Sequence, residues 1–196
     1  MKKKVLVIVA HPDDETLWMG GTLIRNKKNW NTTIVCLTRK SDKDRYPKFK
    51  KVMKILGVKG YIYDLDDQNI KEPLNQKSIL DIISKHKGKY DYLFTHGENG
   101  EYGHIRHKDV HKAILTSLRK NILKTKKTFF FSYHKVKNKF QGYSRYNSNA
   151  DIFIKLNHDE LTMKRNLAIN IYGYSRSGIG FEENSAGPIE AFDILK

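Results

Sequence analysis

Four residues near the start of the chain could do chemistry together: His11, Asp13, Asp14 and Glu15, in the run Ala10-His11-Pro12-Asp13-Asp14-Glu15. Three successive acids repel one another. If such a turn is even partly buried, a divalent cation is a simple way to offset that repulsion. A second cluster, His104-Ile105-Arg106-His107, lies near mid-chain, with His111 after it. His104 and His107 are three residues apart and His107 and His111 four apart, spacings that share one face of a helix. His11, Asp14 and His107 would form a donor set of two imidazoles and a carboxylate with a position open for water, the pattern of catalytic zinc. Zinc brings the pKa of the water it holds toward about 7. Asp13, free if Asp14 ligates, is then placed to take a proton. His104 is the candidate for steadying an oxyanion or protonating a leaving group. Glu15 is expected to orient a ligand or the turn. His111 reads either as a hydrogen-bonded support behind the site or as a surface histidine. His96 is expected to be structural, and Asp64, Asp66 and Asp67 to lie in a solvated loop. Iron(II) also suits these donors.

Val5 to Val9 is an unbroken apolar run and predicts a strand buried on both faces. The acidic turn follows it, and a helix is expected from about Glu15 to Lys28. Its Gly20-Gly21 pair weakens it by roughly 2 kcal/mol relative to alanine, which close packing of helix on strand would explain. Further strands are expected at 32–38, 61–63, 92–95, 129–131, 152–154 and 189–195. Helices fall between them, including 47–56, capped by Gly57, and 105–123. Lys120, Lys124, Lys126 and Lys127 read as a solvated face. Residues 135–150 read as a loop or irregular hairpin, in which Tyr143 and Tyr146 could stack on a sugar. The alternation implies an α/β fold: a three-layer αβα sandwich with a mainly parallel, Rossmann-like sheet. Residues 1–196 are expected to be one domain. Both reactive clusters then fall at the carboxyl ends of central strands, where open α/β sheets bind ligands.

The formal charge is +16, from 37 Lys and Arg against 21 Asp and Glu. This favours an anionic partner and speaks to solubility, not to fold. Cys36 is the single cysteine, so an intrachain disulfide framework is excluded. Apolar runs are too short to span a membrane. Lys2-Lys3-Lys4 precedes an apolar stretch that His11 and the acids soon interrupt, unlike a secretion signal. A cytoplasmic location is expected. An RNA-binding motif or patterned aromatic platform is missing, which argues against nucleic acid as a partner. The oligomeric state stays open.

Ala10-His11-Pro12-Asp13-Asp14-Glu15, Gly20-Gly21-Thr22 and Gly100-Glu101-Tyr102-Gly103-His104-Ile105-Arg106-His107 together resemble the PIG-L/LmbE family of zinc-dependent N-acetylglucosaminyl deacetylases. Arg45, Leu56-Gly57, Lys164-Arg165, Tyr174-Ser175 and Glu190-Ala191-Phe192 extend the resemblance along the chain. The resemblance implies His11, Asp14 and His107 as zinc ligands, Asp13 as general base and His104 at the tetrahedral intermediate or leaving group. It also implies Tyr102 as a mobile helper at the oxyanion and Arg45 as a substrate contact. The second motif departs from the usual His-Pro-Asp-His, and its Arg106 is a candidate for recruiting an anionic substrate. Lys48 stands where the family commonly carries Glu.

The activity expected is hydrolysis of the N-acetyl group of an N-acetylglucosamine-type glycoconjugate. One alternative is an amidase of a thiol-sugar conjugate using the same site. The other is a basic nucleic-acid- or glycan-binding protein that retains the metal site.

Overall fold

The protein is described by a computed structural model covering residues 1–136, 144–174 and 186–196. Tyr143 and Ser175 lie outside the described residues. The chain runs β1 (Lys3–Val9), α1 (Asp14–Asn26), β2 (Trp30–Thr38), α2 (Arg45–Leu56), β3 (Lys59–Leu65), α3 (Gln76–Ser84) and β4 (Gly88–Thr95). It continues through α4 (Ile105–Arg119), β5 (Leu123–Phe131), the short pair β6 (Tyr133–Lys135) and β7 (Ser144–Tyr146), β8 (Ile152–Lys155), α5 (His158–Asn166), a π-helical turn (Leu167–Tyr172) and β9 (Ile189–Ile194).

Seven strands form one sheet in the order β3-β2-β1-β4-β5-β9-β8. β3 through β5 are parallel, while β9 and β8 are antiparallel additions at one edge. Val5 to Val9 are fully buried. Val5, Val7 and Val9 pack with Trp18, Phe49 and Leu167, whereas Leu6 and Ile8 pack with Ile79, Ile83 and Ile114 on the other side. This two-sided burial is why the strand has no polar alternation, and it makes the three layers. β1 pairs with β2 on one side and β4 on the other. The chain therefore reverses its winding at β1, which opens a crevice beyond that strand's carboxyl end.

Two expectations needed correction. α4 stops at Arg119, and Lys124, Lys126 and Lys127 belong to β5. The glycine pair is packed on side chains in and just before α5, Lys164 and Leu156, and not on strand backbone. α1 breaks at Met19 (φ −146°), and the amides of Gly21 and Thr22 donate to the Glu190 carboxylate at 2.8 Å each. Lys164 of α5 pairs with the same carboxylate at 2.8 Å, and both side chains are fully buried. A Cβ on Gly21 would stand 2.3 Å from the Leu156 side chain. Glycine is needed there because residues leading into α5 pack directly on the α1 backbone.

Candidate metal centre

The first cluster hangs on the turn after β1. Thr16 and Leu17 amides cap back onto the Asp13 carbonyl, and Asp13 takes a left-handed φ of 127°. Such backbone costs a non-glycine residue about 1–3 kcal/mol and collects at functional sites. Glu15, fully buried, accepts from the Thr16 and Tyr172 hydroxyls at 2.8 Å each and from the Asp13 amide at 3.2 Å. It fastens the turn from below. The second cluster opens α4, with His104 at its N-cap.

The two clusters meet. His11 Nδ1 lies 3.2 Å from His107 Nε2. Asp14 stands beside both, its Oδ2 3.4 Å from His11 Nδ1 and its Oδ1 3.4 Å from His107 Nε2. His11, His104 and His107 present ligand atoms within 4.8 Å of one another, and so do Asp14, His96 and His107.

Hydrogen bonds on the far side of each ring distinguish these histidines. His11 Nε2 donates to Asp67 Oδ1 at 2.9 Å, and His107 Nδ1 donates to Glu101 Oε2 at 2.5 Å. Each carboxylate turns the other ring nitrogen inward, as in carboxylate–histidine–metal arrangements. His96 differs: its Nδ1 donates to Glu101 at 2.9 Å while its Nε2 accepts the Ala10 amide at 3.0 Å. His104 Nδ1 accepts the Arg106 amide at 3.2 Å, which puts the ring proton on Nε2.

The charges follow from these partners. Burial disfavours a charged His11 ring, yet Asp14 and Asp67 outweigh it and lift the pKa to about 10. A proton on Nδ1 then sits among the acceptors a cation would use. Burial also opposes the Glu101 charge, but His96 and His107 hold its pKa down at about 2. Burial, with His107 and His11 nearby, pushes His104 to about 3 and keeps it neutral. Burial and the neighbouring Asp14 raise Asp13 to about 6, against the pull of Arg45.

The remaining residues divide. Asp13 Oδ2 is held by Arg45 Nη1 at 3.0 Å and by the Tyr174 hydroxyl at 2.6 Å. Arg45, expected at the substrate, thus engages Asp13. Tyr102 joins the cluster, its ring 5.4 Å from His107 and 5.6 Å from His104. His111 Nδ1 donates to the His96 carbonyl at 3.0 Å and supports the loop behind the site. Arg106 runs against its expected role. It is 1% exposed, and its guanidinium donates to the Glu72 and Asn69 carbonyls at 2.8 and 2.6 Å. Burial and these bonds make it an anchor for the 66–72 loop, out of reach of a substrate anion.

Asp67 and Glu101 escape the motif reading as site residues. Asp67, expected in a solvated loop, has a side chain only 7% exposed, clasped between His11 and Arg39 Nε at 2.6 Å. An acid at the carboxyl end of the strand two places from β1 was the available signal. For Glu101 it was an acid in the glycine-rich loop that ends at the histidine pair.

Residues 6–118 match the PIG-L family, described as GlcNAc-PI de-N-acetylase. The chain belongs to the PIG-L family. An uncharacterized protein of Acanthamoeba polyphaga mimivirus is 30% identical over 132 residues, an alignment covering 58% of this chain and 57% of that protein. The chain thus spans little more than half the length of this curated relative. Among solved structures, N,N'-diacetylchitobiose deacetylase from Pyrococcus horikoshii superposes with a TM-score of 0.71 at 16% identity, covering 98% of this chain and 84% of that one. The conserved protein TT1542 from Thermus thermophilus gives 0.66 at 17% identity, with 97% and 94% covered. The 4-carboxy-2-hydroxymuconate hydratase GalB from Pseudomonas putida gives 0.67 at 13% identity, with 100% and 97% covered. At these identities the likeness establishes the shared fold. Among the described residues, no helix is long and apolar enough to cross a membrane.

Proposed function

We propose that the chain is a zinc-dependent hydrolase that removes the N-acetyl group from an N-acetylglucosamine-type glycoconjugate. The observation that carries this reading is the pair of inward ring nitrogens, His11 Nδ1 and His107 Nε2, 3.2 Å apart with Asp14 beside them. The donors fit a divalent cation: two imidazoles whose outer nitrogens are held by carboxylates, and a third carboxylate. On this reading His11, Asp14 and His107 hold the metal. His96 is set aside because the Ala10 amide occupies its Nε2 lone pair, and His104 because its Nε2 carries the proton. The cation, when bound, supplies Lewis acidity toward the acetamide carbonyl and makes water a better acid.

The protein's own residues supply the rest. Arg45 and Tyr174 hold Asp13 by Oδ2, leaving Oδ1 to take a proton from the attacking water. Oxygen adds to the acetamide carbon, and the neutral His104 ring donates its Nε2–H to the oxyanion that develops. Tyr102 stands at the same oxygen. The C–N bond then breaks, Asp13 returns its proton to the departing amine, and acetate is released. Glu15 fixes the turn, and Glu101 and Asp67 orient the ligand rings.

The hydratase on the same fold shows that fold does not choose the reaction. The family description and the acid–base pair beside the donors favour amide hydrolysis. An anionic conjugate suits the +16 charge. A thiol-sugar amidase would use the same groups.

The deciding experiment measures acetate release from a panel of N-acetylated sugars, nucleotide sugars and glycolipids, with zinc added and after chelation. Zinc-dependent acetate from at least one member is expected; none from the metal-loaded protein would defeat the reading. Asp13→Ala should retain zinc and lose at least about a hundredfold in turnover. His107→Ala should lose zinc on elemental analysis. Zinc lost from the first variant, or kept by the second, would show the roles misassigned.

A further inference from the structure

Trp18 has the look of an ordinary core residue of α1. It is 1% exposed and packs in the layer that holds Val9, Phe49 and Leu167. Packing does not account for the whole side chain, because a buried indole N–H needs an acceptor. Trp18 stands four residues after Asp14, the first residue of α1, and long helical side chains lean back toward the N-terminus. Its Nε1 accordingly donates to Asp14 Oδ1 at 3.1 Å.

This bond completes a grip on Asp14. The His11 amide donates to Asp14 Oδ2 at 2.7 Å. Each oxygen of the carboxylate thus carries its own hydrogen bond, one from the turn and one from the helix. Together they fix the rotation of the carboxylate, which either one alone leaves looser. The indole also faces the rest of the centre. It meets the His107 ring edge-on at 6.3 Å and 81°, lies 6.3 Å from the Tyr102 ring, and is wedged from behind by Tyr133 at 4.8 Å.

We propose that Trp18 is a positioning residue of the metal centre, presenting the Asp14 carboxylate to a cation in one fixed rotation through its indole N–H. The inference rests on the assignment of Asp14 as a metal ligand under the hydrolase reading. A carboxylate already held has little rotational freedom to lose when a cation arrives. Removing such a partner costs about 10- to 100-fold in metal affinity.

The test measures zinc affinity of the full chain by chelator competition. The chain has two tryptophans, Trp18 and Trp30. Trp30 opens β2 at the opposite rim of the sheet, so Trp30→Phe leaves Trp18 alone without touching the site. In that background Trp18 is replaced by benzothienylalanine, which keeps the bicyclic shape with sulfur in place of the N–H. Zinc affinity should fall about tenfold or more, while the chelated protein melts where its Trp30→Phe parent does. Trp18→Phe should lose zinc affinity to a similar degree. Phe49→Leu removes packing from the same core layer and no hydrogen bond, so it should melt earlier and bind zinc as tightly as the unmutated chain. In the isotope-labelled unmutated chain, zinc should move the indole N–H signal of Trp18 and leave that of Trp30 in place. Unchanged affinity in the analogue, an equal loss in Phe49→Leu, or a Trp18 signal indifferent to zinc would each overturn the proposal. An unmutated chain that binds no zinc would defeat the metal reading itself, and this proposal with it.

Discussion

Asp67 reaches across β2 from the end of β3 to hold His11, and Arg39 in turn holds Asp67. Removing the charge but not the shape, Asp67→Asn, should weaken zinc binding by about 10- to 100-fold while leaving Asp13 and His104 in place. A chelator-competition titration would measure this, and an unchanged affinity would remove Asp67 from the metal's support. The same scale shows what a sequence can disclose. His11, Asp13, Asp14, His104 and His107 were legible because each motif is short and lies at one strand end. Asp67 and Glu101 act through space on rings 56 and 6 positions away, and their places at strand ends say only that they are near the rim, not which ring each one holds. Arg106 misled because its position beside His107 says nothing about which way a long side chain turns.

Helix α5 begins with a reciprocal cap, in which Asn157 accepts the Glu160 amide and Glu160 accepts the Asn157 amide. Glu160 also takes Arg25 of α1, and that bond is the chief reason its pKa is lowered. The folded-state value lies below the unfolded one, so this stabilisation is present above about pH 4.5 and fades as pH falls through the folded value. Glu160→Gln should cost about 1 kcal/mol at neutral pH. The gap from the parent should narrow in denaturant melts below about pH 4.5, and a gap constant to pH 3 would contradict the cap's charge dependence. Among the elements, alternation of apolar runs gave away strands and helices. It did not give away the direction of β9, because a short apolar strand reads the same both ways. The α4 boundary slipped for a related reason: the first half of β5 is exposed at most of its residues and looks like a polar helix face.

For the molecule as a whole, the winding reversal at β1 brings the two reactive turns together; the βα order had placed both turns at the carboxyl rim but not the strands side by side. The two antiparallel strands at the edge did not follow from that order either, since their pairing depends on contacts made far along the chain. A cation joining the turns would bind the folded chain alone. Metal at a hundred times its dissociation constant should add about 2.7 kcal/mol, or roughly 2–4 °C in Tm per kcal/mol. Calorimetric scans with zinc and with chelator would check this; superimposable scans would argue against a folded-state metal site.

The turn at Asp13 holds a conformation that suits glycine better than aspartate. Replacing it with glycine would relieve the backbone while deleting the carboxylate that Arg45 and Tyr174 grip. Asp13→Gly should therefore melt no earlier than Asp13→Ala, yet be equally idle, a direct reading of how much heat resistance this protein forgoes to keep one acid where it stands.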